Sequence, residues 1–180
     1  MTEKISKEER EEILDRVEQK AAAYQYEFKG CGRTLVLALQ QEFDLPGGSA
    51  VLKAASFAGQ GIARMGDMCG ALLGGIMGIG LASGPQSLED PTYPEPEVID
   101  ETTGNPRSVE LVRGFYQRFV QEFGDSTCRN IQVKMFGKSY NTGIPKEREA
   151  FSQVSREKCA ELVGKAARLA AETILEMPRR

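Results

Sequence analysis

Three glycines spaced four residues apart, Gly70, Gly74 and Gly78, stand in a charge-free stretch that runs from Met68 to Ala82. A spacing of four puts them on one face of a helix. Glycine within a helix costs about 1 kcal/mol relative to alanine. Three on one side therefore mark a face where another helix, or a cofactor, comes close to the backbone. The stretch is about 15 residues long, against the roughly 20 that a membrane-spanning helix needs. It is expected to be a buried central helix, and no membrane partner is implied.

The rest of the chain reads as helix around it. Ser6-Lys7-Glu8-Glu9 has the form of a capping box, in which the hydroxyl and the carboxylate satisfy free N–H groups. Ile13, Val17, Ala21, Tyr24 and Phe28 then recur at helical spacing, and Gly30 is placed to end that helix. A second helix is expected from near Cys31 through Leu35, Val36, Leu39 and Phe43, broken by Leu45-Pro46-Gly47-Gly48. A third runs from Ala50 to about Phe57. Gly84 to Pro106 is an acidic, proline-rich connection, and so long a segment is read as a solvated linker. Beyond it, Val109, Val112, Phe115, Tyr116, Phe119, Val120 and Phe123 form an apolar stripe. The last helix starts at Pro145 or Ser152 and ends near Glu176. No alternating run demands a sheet. The expected fold is all-α: a compact single-domain bundle of about six helices over residues 1–180, with residues 84–106 as a connection within it.

Composition narrows the chemistry. The chain of 180 residues contains no histidine. Histidine-based acid–base catalysis, Ser-His-Asp and Cys-His nucleophiles and histidine-held haem are thereby excluded. A net charge of −3 argues against a nucleic-acid partner held by phosphate contacts. The N-terminus has no apolar core after a basic start, so a cytoplasmic location is expected. In a reducing compartment, four cysteines point to metal ligands or redox-active thiols rather than structural disulfides.

The cysteines are Cys31, Cys69, Cys128 and Cys159. No two are close in sequence. The spacing is neither the C-x-x-C of a thioredoxin-like site, nor the paired C-x-x-C of a zinc ribbon, nor the C-x-x-C-H of covalent haem. Cys31 follows Lys29-Gly30, Cys69 precedes the glycine-faced helix, and Cys128 follows Asp125-Ser126-Thr127. Three of the four thus stand where a helix is expected to start, where the helix dipole favours a thiolate and lowers its pKa. Cys159 differs. It shares an apolar helix face with Leu162, Val163 and Ala166, and packing alone would explain it. Spacing does not tell whether the four converge.

Cys31, the block Gly61-Ile62-Ala63-Arg64-Met65-Gly66-Asp67-Met68-Cys69-Gly70-Ala71-Leu72-Leu73-Gly74, and then Cys128 and Cys159 resemble the C_GCAxxG_C_C family of redox proteins. Cys69-Gly70-Ala71-Leu72-Leu73-Gly74 matches its Cys-Gly-Ala-x-x-Gly motif position by position, and the likeness covers about residues 24–175. The segment from Glu89 to Asn105 is longer than the family's usual connection. The resemblance implies a helical module in which the four cysteines converge. A similar module fused to split-Soret cytochromes is associated with an iron–sulfur centre, so Cys31, Cys69, Cys128 and Cys159 would be the ligands.

The leading expectation is an iron–sulfur protein of the [2Fe–2S] type for electron transfer or redox sensing, an electron carrier or accessory more than a classical enzyme, with an unknown redox partner. Gly70 and Gly74 would let backbone N–H groups reach the sulfurs, as cofactor-binding positions. The alternatives are a metal-free thiol–disulfide protein, a structural four-cysteine zinc site, and a helical interaction protein that forms a homodimer through its glycine face.

Overall fold

The computed structural model describes residues 5–85, 87 and 108–177. Among the described residues there are seven helices in the order α1 (Lys7–Phe28), α2 (Cys31–Glu42), α3 (Gly48–Ala55), α4 (Gly70–Ser83), α5 (Ser108–Phe123), α6 (Cys128–Phe136) and α7 (Pro145–Leu175). The all-α expectation holds, with the short α6 taking the count just past six. The acidic connection lies almost wholly outside the described residues.

Local chemistry sets the helix ends. Ser6 Oγ accepts from the Glu9 N–H at 3.1 Å while the Glu9 carboxylate accepts from the Ser6 N–H at 2.9 Å, which closes the capping box of α1. Pro145 occupies the first turn of α7, where its missing N–H would have had no partner in any case. The buried stripe of α1 runs through Leu14, Val17, Ala21 and Gln25, with Phe28 56 % exposed. It is rotated from the Ile13-to-Phe28 reading because α1 packs against α7 and α2 together.

Helix α4 is apolar all round and lies in the middle, against α2, α5 and α7, as a helix without a polar face must. Its glycine face fits α2. A Cβ on Gly74 would stand 2.6 Å from the Gly32 carbonyl oxygen, and one on Gly70 2.6 Å from the Ala58 oxygen. The face is filled within the chain, so it is not a surface left over for a second copy. Leu35, Leu39, Leu72, Ile79, Phe115, Phe119 and Val163 close the core around it, each contributing roughly 1.5–3 kcal/mol by leaving water. Small residues Ala166, Ala167, Ala170 and Ala171 line the buried side of α7 and let the long helix sit close. No helix among the described residues is long and apolar enough to cross a membrane.

Candidate functional site

The chain enters α4 and α6 through segments that run antiparallel to each other. Met68 and Thr127 form an isolated bridge. The Cys69 N–H donates to the Ser126 oxygen at 2.8 Å, the Cys128 N–H to the Asp67 oxygen at 2.7 Å and the Arg129 N–H to the Gly66 oxygen at 3.0 Å. Cys69, the N-cap of α4, and Cys128, the first residue of α6, are thereby fixed side by side. Asp125 braces this junction. Its carboxylate accepts from the Thr127 N–H at 2.7 Å, the Thr127 hydroxyl at 2.8 Å and the Asn130 amide at 2.9 Å. The Thr127 N–H, foremost among these donors, holds the carboxyl down at about 2.

A third support comes from an unusual loop. Gln60, Gly61, Ile62, Ala63 and Arg64 all have positive φ, between +50° and +73°. Left-handed backbone costs about 1–2 kcal/mol for each non-glycine residue and is rarely met in succession. The turn is tied by the Ala63 N–H to the Phe57 oxygen at 2.7 Å and the Asp67 N–H to the Gly61 oxygen at 3.1 Å. It points the Gln60 N–H at the Cys31 sulfur. It also leaves the Gln60 side-chain oxygen buried without a partner.

Cys31 begins α2 and Cys159 lies midway along α7. All four sulfur-bearing residues line one cavity of about 60 Å³, with Gln25, Gln60, Gln132, Lys29 and Arg156 among its other walls. Room on that scale takes a small inorganic group, whereas an organic cofactor needs roughly 300–1,000 Å³. Among the described residues, no carboxylate lines the cavity. All four cysteines are free. Among the described residues, no group of three or more His, Cys, Asp or Glu is set to hold a metal ion as the side chains stand.

Burial pushes every one of these thiols up. Cys31 rises to about 11 from its ordinary 9.0, through burial first and the neighbouring Cys128 second. Cys69 and Cys159 rise well above the usual range, again through burial and then through the other cysteines. Cys128 rises through burial, offset in part by a hydrogen bond from Gln132. Negative charge on either member opposes ionisation of the other in all six thiol pairs. The helix starts are where the sequence put them, but the lowered thiol pKa expected there is reversed: desolvation outweighs the dipole once the sulfurs are inside.

The two glycines expected to bind a cofactor lie behind the cavity wall. Neither Gly70 nor Gly74 lines the cavity. Gly70 packs beside Cys31 and Ala58, and Gly74 against Gly32. The N–H groups aimed at the Cys69 sulfur are those of Ala71 and Leu72, because the first turn of α4 opens toward its own N-cap. Sequence reasoning missed Gln132 and Gln25. Gln132 is 3 % exposed and Gln25 7 %. Their one signal was a polar residue in an apolar setting.

The protein-family comparison bears on the same residues. The model described as "Putative redox-active protein (C_GCAxxG_C_C)" matches residues 30–173. That span holds all four cysteines and every element that lines their cavity except the body of α1. No curated protein and no solved structure matches the chain. The chain belongs to the C_GCAxxG_C_C family of redox-active proteins.

Proposed function

We propose that Cys31, Cys69, Cys128 and Cys159 hold an iron–sulfur cluster of the [2Fe–2S] type, and that the protein transfers or senses electrons through it. The observation that carries the reading is the meeting of four thiols, from four distant parts of the chain, around one small cavity. A sulfur-only donor set selects soft metals and iron–sulfur clusters.

Electrostatics favours the same reading over thiol–disulfide exchange. Exchange needs a thiolate, and burial with mutual repulsion keeps these thiols protonated. A metal centre supplies the positive charge that lets them lose their protons together. A bound cluster supplies one-electron transfer. The chain's own part is to bind, tune and shield. The N–H groups of Gln60, Ala71 and Leu72 donate to the sulfurs of Cys31 and Cys69, which stabilises negative charge there. Lys29 and Arg156 at the cavity wall offset further negative charge. Arg156 is held by stacking over Tyr26, 4.1 Å from its ring centre, and by donating from Nε to the Tyr26 backbone carbonyl oxygen at 3.3 Å. Ile131, Phe151 and Leu162 keep bulk water out.

The test is anaerobic reconstitution with iron and sulfide, followed by metal analysis, acid-labile sulfide and visible absorption. Bound iron and sulfide in equal amounts, lost on Cys→Ser substitution at each of the four positions, are expected. A protein that stays colourless and iron-free would overturn the reading.

A further inference from the structure

We propose that Gln132 is a positioning residue that holds a fixed hydrogen-bond donor on the Cys128 sulfur and thereby raises the reduction potential of the centre. The second half of this statement rests on the cluster reading above; the first does not.

Gln132 lies one turn beyond Cys128 on α6 and is 3 % exposed. Its Nε2 donates to Cys128 Sγ at 3.2 Å, and its Oε1 accepts from the Tyr140 N–H at 2.8 Å. The second bond decides the first. A backbone N–H can only donate, so the amide oxygen must face Tyr140 and the NH₂ must face the sulfur. Gln60, whose oxygen has no partner, has no such lock. Tyr140 is braced in turn by its ring, which packs 5.5 Å from Phe151 and 6.3 Å from Phe136. The donor is thus held from outside the cavity, by the connection between α6 and α7. Cys31 and Cys69 receive backbone N–H groups, whereas Cys128 is the sulfur that receives a side-chain donor. A hydrogen bond to a charged sulfur is stronger than to a neutral one. It withdraws electron density from the ligand and favours the reduced centre.

Gln132→Met keeps the length and removes both donor and acceptor. Gln132→Glu keeps an acceptor for Tyr140 but places a carboxylate at the sulfur. In the reconstituted protein both are expected to lower the potential, by about a tenfold shift in the one-electron equilibrium, or ~59 mV. A second readout needs no cluster. In cofactor-free protein, iodoacetamide labelling resolved by mass spectrometry is expected to modify Cys128 several-fold more slowly in Gln132→Met than in wild type. A merely structural Gln132 would give the opposite sign, since a loosened α6–α7 connection opens the cavity and speeds labelling. Wild-type or faster Cys128 labelling in the variant overturns the proposal. So does an unchanged potential in Gln132→Met, or one lowered there and unchanged in Gln132→Glu. Failure of the wild type to take up iron and sulfide would sink the cluster reading alone, and the labelling would still decide the role of Gln132.

Discussion

Gly74 of α4 lies so close to Gly32 of α2 that a methyl group on Gly74 would stand 2.6 Å from the Gly32 carbonyl oxygen and 3.0 Å from its Cα. Backbone cannot swing aside as a long side chain can. Gly74→Ala is expected to cost about 1–3 kcal/mol as overpacking, seen as a lower thermal midpoint. The oligomeric state by sedimentation should not change, because this face is occupied inside the fold. A wild-type midpoint would argue against the tight α2–α4 contact.

Alkali should weaken the cofactor-free protein. Cys31 is raised by burial, and next by Cys128, from 9.0 to about 11. The folded chain therefore keeps this proton where the unfolded chain has begun to release it. Stability is complete below about pH 9 and falls as pH rises toward 11. Urea unfolding across that window should show a falling midpoint in wild type and a flatter one in Cys31→Ser. A flat wild-type profile would refute the raised thiol.

Acid should act on a different part of the same site. The Thr127 N–H, with the Asn130 amide and the Thr127 hydroxyl, depresses Asp125 from 3.8 to about 2. Its contribution is present above pH 3.8 and is lost as pH falls through that range toward 2. Asp125→Ala should remove it at neutral pH. The measurement is amide exchange, which should speed up at the start of α6, around Thr127 to Asn130, and remain slow in α4 and α7. Uniform exchange across the three helices would contradict this.

The left-handed turn invites a stabilising change. Ile62 is β-branched, 43 % exposed, and held at φ +55°. Glycine adopts that conformation without steric cost. Ile62→Gly is expected to raise stability by about 1 kcal/mol, the relieved strain exceeding the added entropy of the unfolded chain. A loss of stability, measured by denaturant unfolding, would mean that the isoleucine side chain contributes more by packing than its backbone costs.

Much of the fold was open to reading because its rules act over a few residues. Ser6 and Glu9 mark the start of α1, Gly30 the junction before Cys31, and Thr127 the start at Cys128. The glycine face was legible as a close approach, and the neighbour that comes up against Gly74 is Gly32 of α2. Three features lay beyond such rules. Nothing in Ile62-Ala63-Arg64 announces left-handed backbone, since those residue types disfavour it and only surrounding structure imposes it. The acidity of the cysteines was misjudged because helix dipoles are local while desolvation depends on the whole packed bundle. Convergence of Cys31, Cys69, Cys128 and Cys159 was implied by family resemblance alone, as it arises from the α1–α7, α2–α4 and Met68–Thr127 pairings between distant segments.

That last pairing bears on the order of events in biosynthesis. Residues reach the ribosome exit in sequence, so a nascent chain that has emerged only through α4 offers Cys31 and Cys69 but no Thr127 to seal the edge beside Met68. If the four cysteines hold the proposed cluster, a chain at that stage offers only two of its ligands, and loading would wait until α6 and α7 have been made.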